Sequence, residues 1–208
     1  LGKQYLTGIF PKNKNQKISS GNLDLLFCKK CKLLQLSENF NHNEMYGLNY
    51  GYMSSLNPTM VKHLKDKSEK IQNKFKLKKK DIVIDIGSND GTFLSFFNNN
   101  LTLIGIDPTI SKFGKFYKKN IIRISDFFSE NSVSQYIKKR KAKIITSISM
   151  FYDLEDPEHF AKEIYECLDK DGIWHFEQSY MPSMIKNISY DTICHEHLEY
   201  YSLTSVKY

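Results

Sequence analysis

The sequence lacks a long hydrophobic run and contains few cysteines. No apolar stretch in its 208 residues approaches the roughly 20 residues that a membrane-spanning helix needs, and no signal peptide opens the chain. These absences favour a cytoplasmic protein with no membrane partner. A chain of this length can bury one full core plus a small appendage, so it does not need disulfide staples. The four cysteines therefore indicate a metal site or free thiols.

The positive charge is confined to short runs. The net charge of +7 comes mostly from lysine-rich segments at 74–80 and 138–143, each of which directly precedes an apolar strand. A solvated rim at the strand-entry end of a sheet explains this placement better than a nucleic-acid site does. The lysines are also not interleaved with the series of aromatic residues that a single-strand stacking platform needs. We therefore expect no nucleic-acid partner.

The chain lacks the glycine pattern of dinucleotide-binding loops but contains a related one at 81–92. The segment 81–92 reads DIVIDIGSNDGT, a β-branched run followed at once by a glycine-containing turn, as expected where a buried strand meets a ligand. The dinucleotide fingerprint G-x-G-x-x-G is not met, because Asn89 replaces its middle glycine and its sixth position is not glycine. Asn tolerates positive φ, and the D-x-G-x-x-D-G pattern resembles motif I of class I methyltransferases that use S-adenosylmethionine (SAM). The expected cofactor-binding residues of this loop are Asp85, Gly87, Ser88, Asn89 and Gly91. An ordinary strand-turn-helix of another α/β protein remains the alternative.

Strands and helices alternate from Asp81 onward, which predicts an α/β fold with a parallel sheet. The expected strands are 81–86, 101–106, 120–124, 143–148 and 171–178. The expected helices lie near 91–98, 111–118, 130–139 and 157–168.

Ligands in such folds lie beyond the carboxyl ends of the strands. The second strand ends in Asp107–Pro108, where a carboxylate can accept hydrogen bonds from both ribose hydroxyls of an adenosine. The third leads to Asp126–Phe127, which suits an adenine, and the fourth to Ser149–Met150, near the transferring methyl group. An Asp at the end of a strand is often only a helix cap. The assignment of Asp107 to the ribose is therefore weak alone and is strengthened by its register with the Asp85 loop.

An aromatic, hydroxyl-rich segment, 46–59, precedes a predicted helix. Asn57 and Pro58 are typical of the N-cap and first position, and apolar residues then recur at helical spacing from Met60 to Phe75. Tyr50 and Tyr52 either line a polar pocket or pack on the sheet, and the sequence does not decide between the two.

The cysteines Cys28 and Cys31 form a C-x-x-C pair, which supplies two of the four ligands of a structural zinc site. Cys167 and Cys194 lie in other segments, so the pair is half a site or carries bare thiols. The chain also begins without Met at Leu1 and stops at Tyr208 within a predicted helix start. We therefore expect a fragment in which the other cysteine pair of the site preceded Leu1.

The segment 190–201 contains two histidines that flank a carboxylate, His195-Glu196-His197. As a strand, it would place both imidazoles on one face to hold a metal. As part of a core, the histidines would be structural. As a catalytic loop, one imidazole could remove a proton near neutral pH, with Glu196 or a tyrosine orienting it. We favour the catalytic loop.

These motifs, in this order, resemble the nucleotide-sugar C-methyltransferases of deoxysugar and surface-polysaccharide biosynthesis. The resemblance rests on C-x-x-C, Tyr50–Ser55, Asp85–Gly91, Gly105–Pro108, Glu177–Tyr180 and His195–His197. It implies a partial N-terminal zinc-binding module at 1–45, a linker and helix contributing to the active site at 46–80, and a Rossmann-like SAM-binding domain at 81–208 that is truncated at its C-terminus. It also implies that His197 is the base, that Glu196 supports it, and that a tyrosine from the Tyr50/Tyr52 segment lies near the methyl group.

The implied reaction is C-methylation of a nucleotide-linked 4-keto deoxysugar. The carbonyl acidifies the neighbouring proton, a base forms the enolate, and the enolate carbon takes the methyl group of SAM. An O- or N-methyltransferase on the same scaffold and a zinc-ribbon module that binds nucleic acid remain the alternatives. The sequence does not define the sugar, the nucleotide or the oligomeric state.

Overall fold

The computed structural model describes residues 2–7, 9, 11, 13–46 and 50–208. Leu1, which enters the prediction of a fragment, and residues 47–49 of the aromatic segment lie outside this part. The strands are β1 (Lys3–Tyr5), β2 (Ser20–Asn22), β3 (Leu25–Phe27), β4 (Leu34–Leu36), β5 (Ile82–Ile86), β6 (Thr102–Ile106), β7 (Ile121–Ile124), β8 (Ala142–Ile148), β9 (Leu168–Glu177) and β10 (Glu199–Tyr200). The α-helices are α1 (His42–Met45), α2 (Pro58–Phe75), α3 (Ile110–Phe113), α4 (Glu130–Ile137), α5 (Pro157–Cys167), α6 (Met181–Asn187) and α7 (Leu203–Val206).

The chain forms two compact units. The first comprises Leu1–Gly51, Ser149–Pro157 and Glu177–Tyr208, and the second comprises Tyr52–Ile148 and Glu158–Phe176. Within the described residues, no helix is long and apolar enough to cross a membrane.

The second unit contains a five-stranded sheet in the order β7-β6-β5-β8-β9. The pairs β5–β6, β5–β8 and β6–β7 are parallel, and β5 is buried along its whole length. Parallel strands covered on both faces read as continuous apolar runs, which is the pattern of 82–86 and 102–106. The predicted α/β, Rossmann-like parallel sheet is confirmed.

The helix predicted near 91–98 is wrong. Only a 3₁₀ turn, Leu94–Phe96, forms there. Asp90 Oδ1 accepts hydrogen bonds from both the backbone N–H and the hydroxyl of Thr92, and Asn98 to Asn100 follow the turn. Short polar side chains that bond to nearby backbone compete with helix propagation, so the segment stays a turn.

Helix α2 has the predicted start and the predicted apolar face. The Asn57 side chain accepts hydrogen bonds from the N–H groups of Thr59 and Met60, with Pro58 as the first helical residue. Leu64 and Ile71 are buried in the core of the second unit.

The first unit holds two small antiparallel sheets, β1-β2 and β10-β4-β3. Among its described residues, Met45 clusters with Leu6 and Ile9, and Leu23, Leu36 and Leu198 form a further apolar cluster. Pairing of β10 with β4 anchors the chain that follows the His-Glu-His segment, which itself lies in the turn before β10.

Candidate active site

The loop after β5 has the backbone geometry of a close ligand approach. Gly87, Asn89 and Gly91 have φ values of 70°, 50° and 77°, all in the left-handed region. A Cβ on Gly91 would lie 2.8 Å from the ring of Tyr117, so a side chain at this position is disfavoured both by conformation and by space. Asn is among the few non-glycine residues that adopt such a φ readily.

The Tyr117 hydroxyl is hydrogen-bonded to two residues of this loop, Ser88 and Asn89, a role that the sequence did not indicate. Its hydroxyl donates to the carbonyl of Asn89 at 3.0 Å, so Ser88 Oγ, 2.7 Å away, donates to the phenol oxygen. Burial raises the pKa of Tyr117 well above its ordinary value, which keeps the phenol protonated. A Cβ at Gly105 on β6 would lie 2.8 Å from both Ser88 Oγ and the Tyr117 ring. Glycine at 105 therefore makes room for the Ser88–Tyr117 contact.

Asp107 lies at the carboxyl end of β6 and is buried. Its Oδ2 accepts from the Asn89 N–H at 2.8 Å, and its Oδ1 accepts from the Thr109 N–H at 2.7 Å and the Thr109 hydroxyl at 2.6 Å. A carboxylate has about four acceptor sites, so these bonds leave about one for a ligand. Burial raises the pKa of Asp107 and its three hydrogen bonds oppose that shift.

The segment before α2 lies across the same loop. Asn89 Nδ2 donates to the Tyr52 carbonyl at 3.1 Å, and Asn89 Oδ1 accepts from the Ser54 N–H at 3.0 Å. Asp90 Oδ2 accepts from the Ser55 N–H at 2.9 Å. The side chains of Asn89 and Asp90 thus hold residues 52–55 in place, and the Tyr52 side chain remains 45% exposed beside the loop.

Asp85 is the carboxylate of β5 and lies two residues before Gly87 of the loop. It is buried, and its Oδ1 accepts from the Thr146 hydroxyl of β8 at 2.6 Å. Burial raises its pKa to about 7 despite this bond. The hydrogen bond therefore ties the end of β5 to β8, and the sequence reasoning did not identify Thr146 as the partner of Asp85.

The remaining cofactor candidates fall in both units. Pro108 directly follows Asp107 and is half-buried, while Asp126 and Phe127 are exposed beyond β7. Asp126 Oδ1 accepts from the Phe127 N–H at 2.8 Å, which fixes the turn there. Ser149 and Met150 belong to the first unit. The Ser149 N–H donates to the Glu177 carbonyl at 2.8 Å, and the φ angle of Ser149 is 55°.

His197, in the first unit, has the geometry of a neutral base. Its Nδ1 lies 2.8 Å from the Thr192 carbonyl, and because a carbonyl only accepts, Nδ1 carries the hydrogen. The neutral imidazole then presents a lone pair at Nε2. Burial lowers the pKa of His197 from 6.5, against smaller opposing effects of the Thr192 bond and of Glu196. The ring of Tyr152 contacts the imidazole edge-on at 4.4 Å between centroids.

His195 has a different environment. It is fully buried, its Nδ1 accepts from the Thr7 N–H at 3.3 Å, and its Nε2 therefore donates to the Gly21 carbonyl at 3.2 Å. Phe40 packs edge-on against the ring at 4.7 Å. Both ring nitrogens are engaged by backbone, so His195 ties β2 to the residues after β1 and has no lone pair for a substrate.

Glu196 connects the histidine segment to two further side chains. Its backbone carbonyl accepts from the Tyr46 hydroxyl at 3.2 Å, and the Tyr46 side chain is also hydrogen-bonded to Asp153. Tyr50 packs against Tyr46 at 5.6 Å between ring centroids. The structure thus brings together Tyr46, Tyr50, Asp153, Glu196 and His197, of which Tyr46 and Asp153 were missed by the sequence reasoning because no local motif marks them.

The cysteine pair lies on the turn between β3 and β4. The Cys28 N–H donates to the Leu33 carbonyl, and hydrogen bonds from Cys31 lower the pKa of the Cys28 thiol. Within the part of the chain that the structure describes, no group of three or more His, Cys, Asp or Glu side chains could hold a metal. The described residues therefore do not form a complete tetrahedral zinc site, and zinc binding by Cys28 and Cys31 stays a prediction.

A family model described as a methyltransferase domain matches residues 60–207. The chain belongs to this methyltransferase-domain family. The match includes the loop after β5, Asp107 and the His-Glu-His segment, and it confirms the prediction of a methyltransferase domain.

The chain is also similar to individual proteins. The chain is 26% identical over 187 residues to the C-methyltransferase NovU of Streptomyces niveus, covering 88% of this chain and 44% of that protein. The chain thus spans less than half the length of this curated relative. The plantazolicin methyltransferase BpumL, solved with SAH, has a TM-score of 0.55 at 16% identity, covering 69% of this chain and 59% of the other. A chain of the complex between the Haloferax volcanii Trm112 methyltransferase activator and a methyltransferase has a TM-score of 0.55 at 14% identity, covering 72% and 70%. These structures establish the fold.

Proposed function

We propose that the protein methylates a carbon atom of a nucleotide-linked 4-keto deoxysugar, with SAM as the methyl donor. The observation that carries this proposal is the tautomer of His197, whose Nδ1–H is held by the Thr192 carbonyl so that Nε2 is a free base. Methylation of a carbon atom requires a base that removes the weakly acidic proton bonded to that carbon. Methylation of oxygen or nitrogen removes no proton from carbon. The similarity to a C-methyltransferase and the motif order of the nucleotide-sugar enzymes support the same choice.

The residues present fit SAM. The left-handed turns at Gly87, Asn89 and Gly91 permit the backbone to approach a ligand, and Asp107 retains about one acceptor site for a ribose hydroxyl. Pro108, Asp126 and Phe127 would contact the nucleoside, and Ser149–Met150 would lie toward the methyl group. When bound, SAM supplies a methyl group activated by the positive charge of its sulfonium.

His197 would carry out the proton transfer. The carbonyl of the sugar acidifies the proton on the adjacent carbon, His197 Nε2 removes that proton, and the electron pair of the broken C–H bond moves into the enolate. The Thr192 carbonyl and the Glu196 carboxylate stabilise the positive charge that then resides on the imidazole. General base catalysis of this type contributes about 10²–10⁴-fold to the rate.

Tyr50 and Tyr52 stay candidates for contacts near the methyl group. Tyr52 is partly exposed beside the cofactor loop, and Tyr50 packs on Tyr46 within the histidine cluster. We keep Cys28 and Cys31 as two ligands of a zinc site that needs donors beyond the described residues, and no catalytic step depends on that metal.

The experiment that tests the proposal is product analysis. The full-length protein is incubated with SAM carrying a ¹³C-labelled methyl group and a panel of nucleotide-linked 4-keto deoxysugars. We expect a methyl carbon bonded to a ring carbon in a two-dimensional NMR spectrum. A methyl group on oxygen or nitrogen would contradict C-methylation and support the alternative methyltransferase, and salt-dependent binding to DNA or RNA without methyl transfer would support the nucleic-acid module.

A further inference from the structure

The excess positive charge of the chain is concentrated in three loops of the second unit. These loops, 76–81, 118–120 and 138–141, precede β5, β7 and β8 and contain nine lysines, one arginine and a single carboxylate, Asp81. All ten basic residues are exposed. Without these loops the chain has 20 basic and 22 acidic side chains, a net charge of −2 against +7 for the whole. The positive excess therefore lies entirely in these loops, which we call the basic edge.

The three loops meet at one edge of the parallel sheet. Continuing the registers of β5 with β6, β6 with β7 and β5 with β8 by two or three residues places Lys80, Asn100, Lys118 and Lys141 at one level. Hydrogen bonds agree with this alignment, since the Lys80 N–H donates to the Asn100 carbonyl at 2.9 Å and Arg140 Nη1 donates to the Lys80 carbonyl at 3.1 Å. Neighbouring strands are about 4.8 Å apart, so the basic edge extends about 14 Å across the sheet from β7 to β8.

The carboxylates next to the basic edge already have partners. Asp81 is half-buried, and its Oδ2 accepts from the Lys78 N–H at 2.7 Å. At the start of β9, Asp169 and Asp171 pair with Lys143, which is not one of the ten cations, at 2.9 and 3.8 Å. A row of charges of one sign at the surface attracts anions from solution. The basic edge is therefore an anion-attracting surface, at the end of the sheet opposite the cofactor loop.

The composition and shape of the basic edge fit a flat anionic surface. Nine of its ten cations are lysines, which present hydrated point charges without the fork that binds one phosphate in two directions. A single-stranded nucleic acid is bound in a groove with aromatic side chains, whereas these loops form a row and contain no aromatic residue. Polybasic clusters are attracted to the anionic lipids of the cytoplasmic leaflet, and this attraction needs neither a groove nor stacking.

We propose that the basic edge binds the headgroups of anionic phospholipids and holds the protein reversibly at a membrane surface. Each lysine run taken alone favours a solvated rim, and the alignment of three loops by the sheet register is what adds the binding surface. The cofactor loop follows the other end of β5, so about 17 Å of strand separates it from the basic edge. SAM would therefore reach the loop from water while the protein is bound. The inference does not depend on the identity of the methyl acceptor.

The test is sedimentation of the full-length protein with vesicles of equal parts phosphatidylglycerol and phosphatidylcholine, and with vesicles of phosphatidylcholine alone. Wild type should bind the first and not the second, and the binding should weaken as salt is added. Loss of one cation should weaken binding about fivefold, so a triple variant should bind about 100-fold more weakly. The edge variant combines Lys79→Gln, Lys80→Gln and Lys139→Gln. The matched control, with the same change of charge at exposed positions on α2, α3 and α5 of the same unit, combines Lys62→Gln, Lys112→Gln and Lys162→Gln.

The control variant should bind the anionic vesicles within about threefold of wild type, because its lysines lie outside the basic edge and distant charges are screened by salt. The edge variant should keep the wild-type Kd for SAM, which shows that it is folded. Should it fail to fold, the three single substitutions still decide, with an expected loss of about fivefold each.

Four outcomes would overturn the inference. The first is wild-type protein that does not bind anionic vesicles. The second is an equal loss for the edge variant and its control, which net charge alone predicts, and the third is no loss in any edge variant. The fourth is tighter binding to a random-sequence duplex DNA than to the anionic vesicles at the same salt, lost in the edge variant, which would assign the surface to nucleic acid. None of these measurements uses methyl transfer, so their outcome is separate from that of the proposed function.

Discussion

Removal of the Asp107 carboxylate should weaken SAM binding by an amount that the structure defines. Three of its roughly four acceptor sites are occupied by Asn89 and Thr109, so about one remains for a ribose hydroxyl. A hydrogen bond to a charged group contributes about 1.5–3 kcal/mol. At about 1.4 kcal/mol per tenfold in affinity, Asp107→Ala should therefore raise the Kd for SAM by about 10- to 150-fold.

Asp107→Ala also removes the acceptor of the Asn89 N–H, so its effect on the loop after β5 must be separated from its effect on the ribose contact. Thr109→Val removes only the hydroxyl that bonds Asp107 Oδ1 and leaves the carboxylate in place. It should change the Kd by much less than Asp107→Ala does.

Isothermal titration calorimetry with SAM and with S-adenosylhomocysteine measures both effects. Asp66→Asn, an exposed carboxylate on α2 of the same unit, is the matched control and should bind as wild type. Asp107→Ala with unchanged affinity for both ligands, in a folded protein, would refute the assignment of Asp107 to the ribose.

Three further predictions concern the scaffold and the cysteines. Gly105→Ala should destabilise the protein by about 1–3 kcal/mol and lower its Tm, because the new Cβ meets Ser88 and Tyr117 at 2.8 Å; Gly114→Ala, whose nearest contact is 3.3 Å, should cost clearly less, and equal losses would contradict this. Asp85 has a folded-state pKa of about 7, above its ordinary 3.8, so its contribution to stability is present below about pH 4 and is lost as pH rises toward 7. Denaturant unfolding of wild type and Asp85→Asn at pH 4.5 and 7.5 should show a smaller loss in the variant, by on the order of 2–4 kcal/mol, and parallel pH profiles would count against it. Elemental analysis of the 208-residue chain should find well under one zinc per chain, since Cys28 and Cys31 are two of four ligands, whereas stoichiometric zinc would be a contrary result.

The strand pattern was predictable because it depends on local sequence. The runs at 82–86 and 102–106 are continuous β-branched or apolar segments bounded by polar turns, and both strands lie within one residue of their expected bounds. Strand β9 begins at Leu168, three residues before its expected start, because it continues directly from α5 without a separating loop. The helix prediction near 91–98 was wrong because it considered only the spacing of apolar residues. Local hydrogen bonds from polar side chains compete with the helix there.

The partners of the site residues were not predictable. Tyr117 bonds to Ser88 and Asn89 across 28–29 residues of chain, and Tyr46 bonds to the Glu196 carbonyl across 150. Such contacts follow from tertiary packing and leave no periodic signal. The segment His195–His197 illustrates the limit, because its two imidazoles share a motif yet differ in burial and in the lone pair that each retains. The N-terminal zinc module, the three-part domain division and the cytoplasmic location stay predictions.

The central claim, that His197 removes a proton from carbon, is tested most directly by His197→Asn in the full-length protein. The Asn amide can still donate to the Thr192 carbonyl but has no base, so affinity for SAM should stay within about threefold while kcat falls by about 10²–10⁴-fold. Wild-type activity should persist somewhat below pH 6.5, because burial lowers the pKa of His197, and should fall as the imidazole protonates. His63→Asn, an exposed histidine on α2, should leave kcat unchanged. A His197→Asn enzyme that turns over a 4-keto sugar at the wild-type rate would contradict the account.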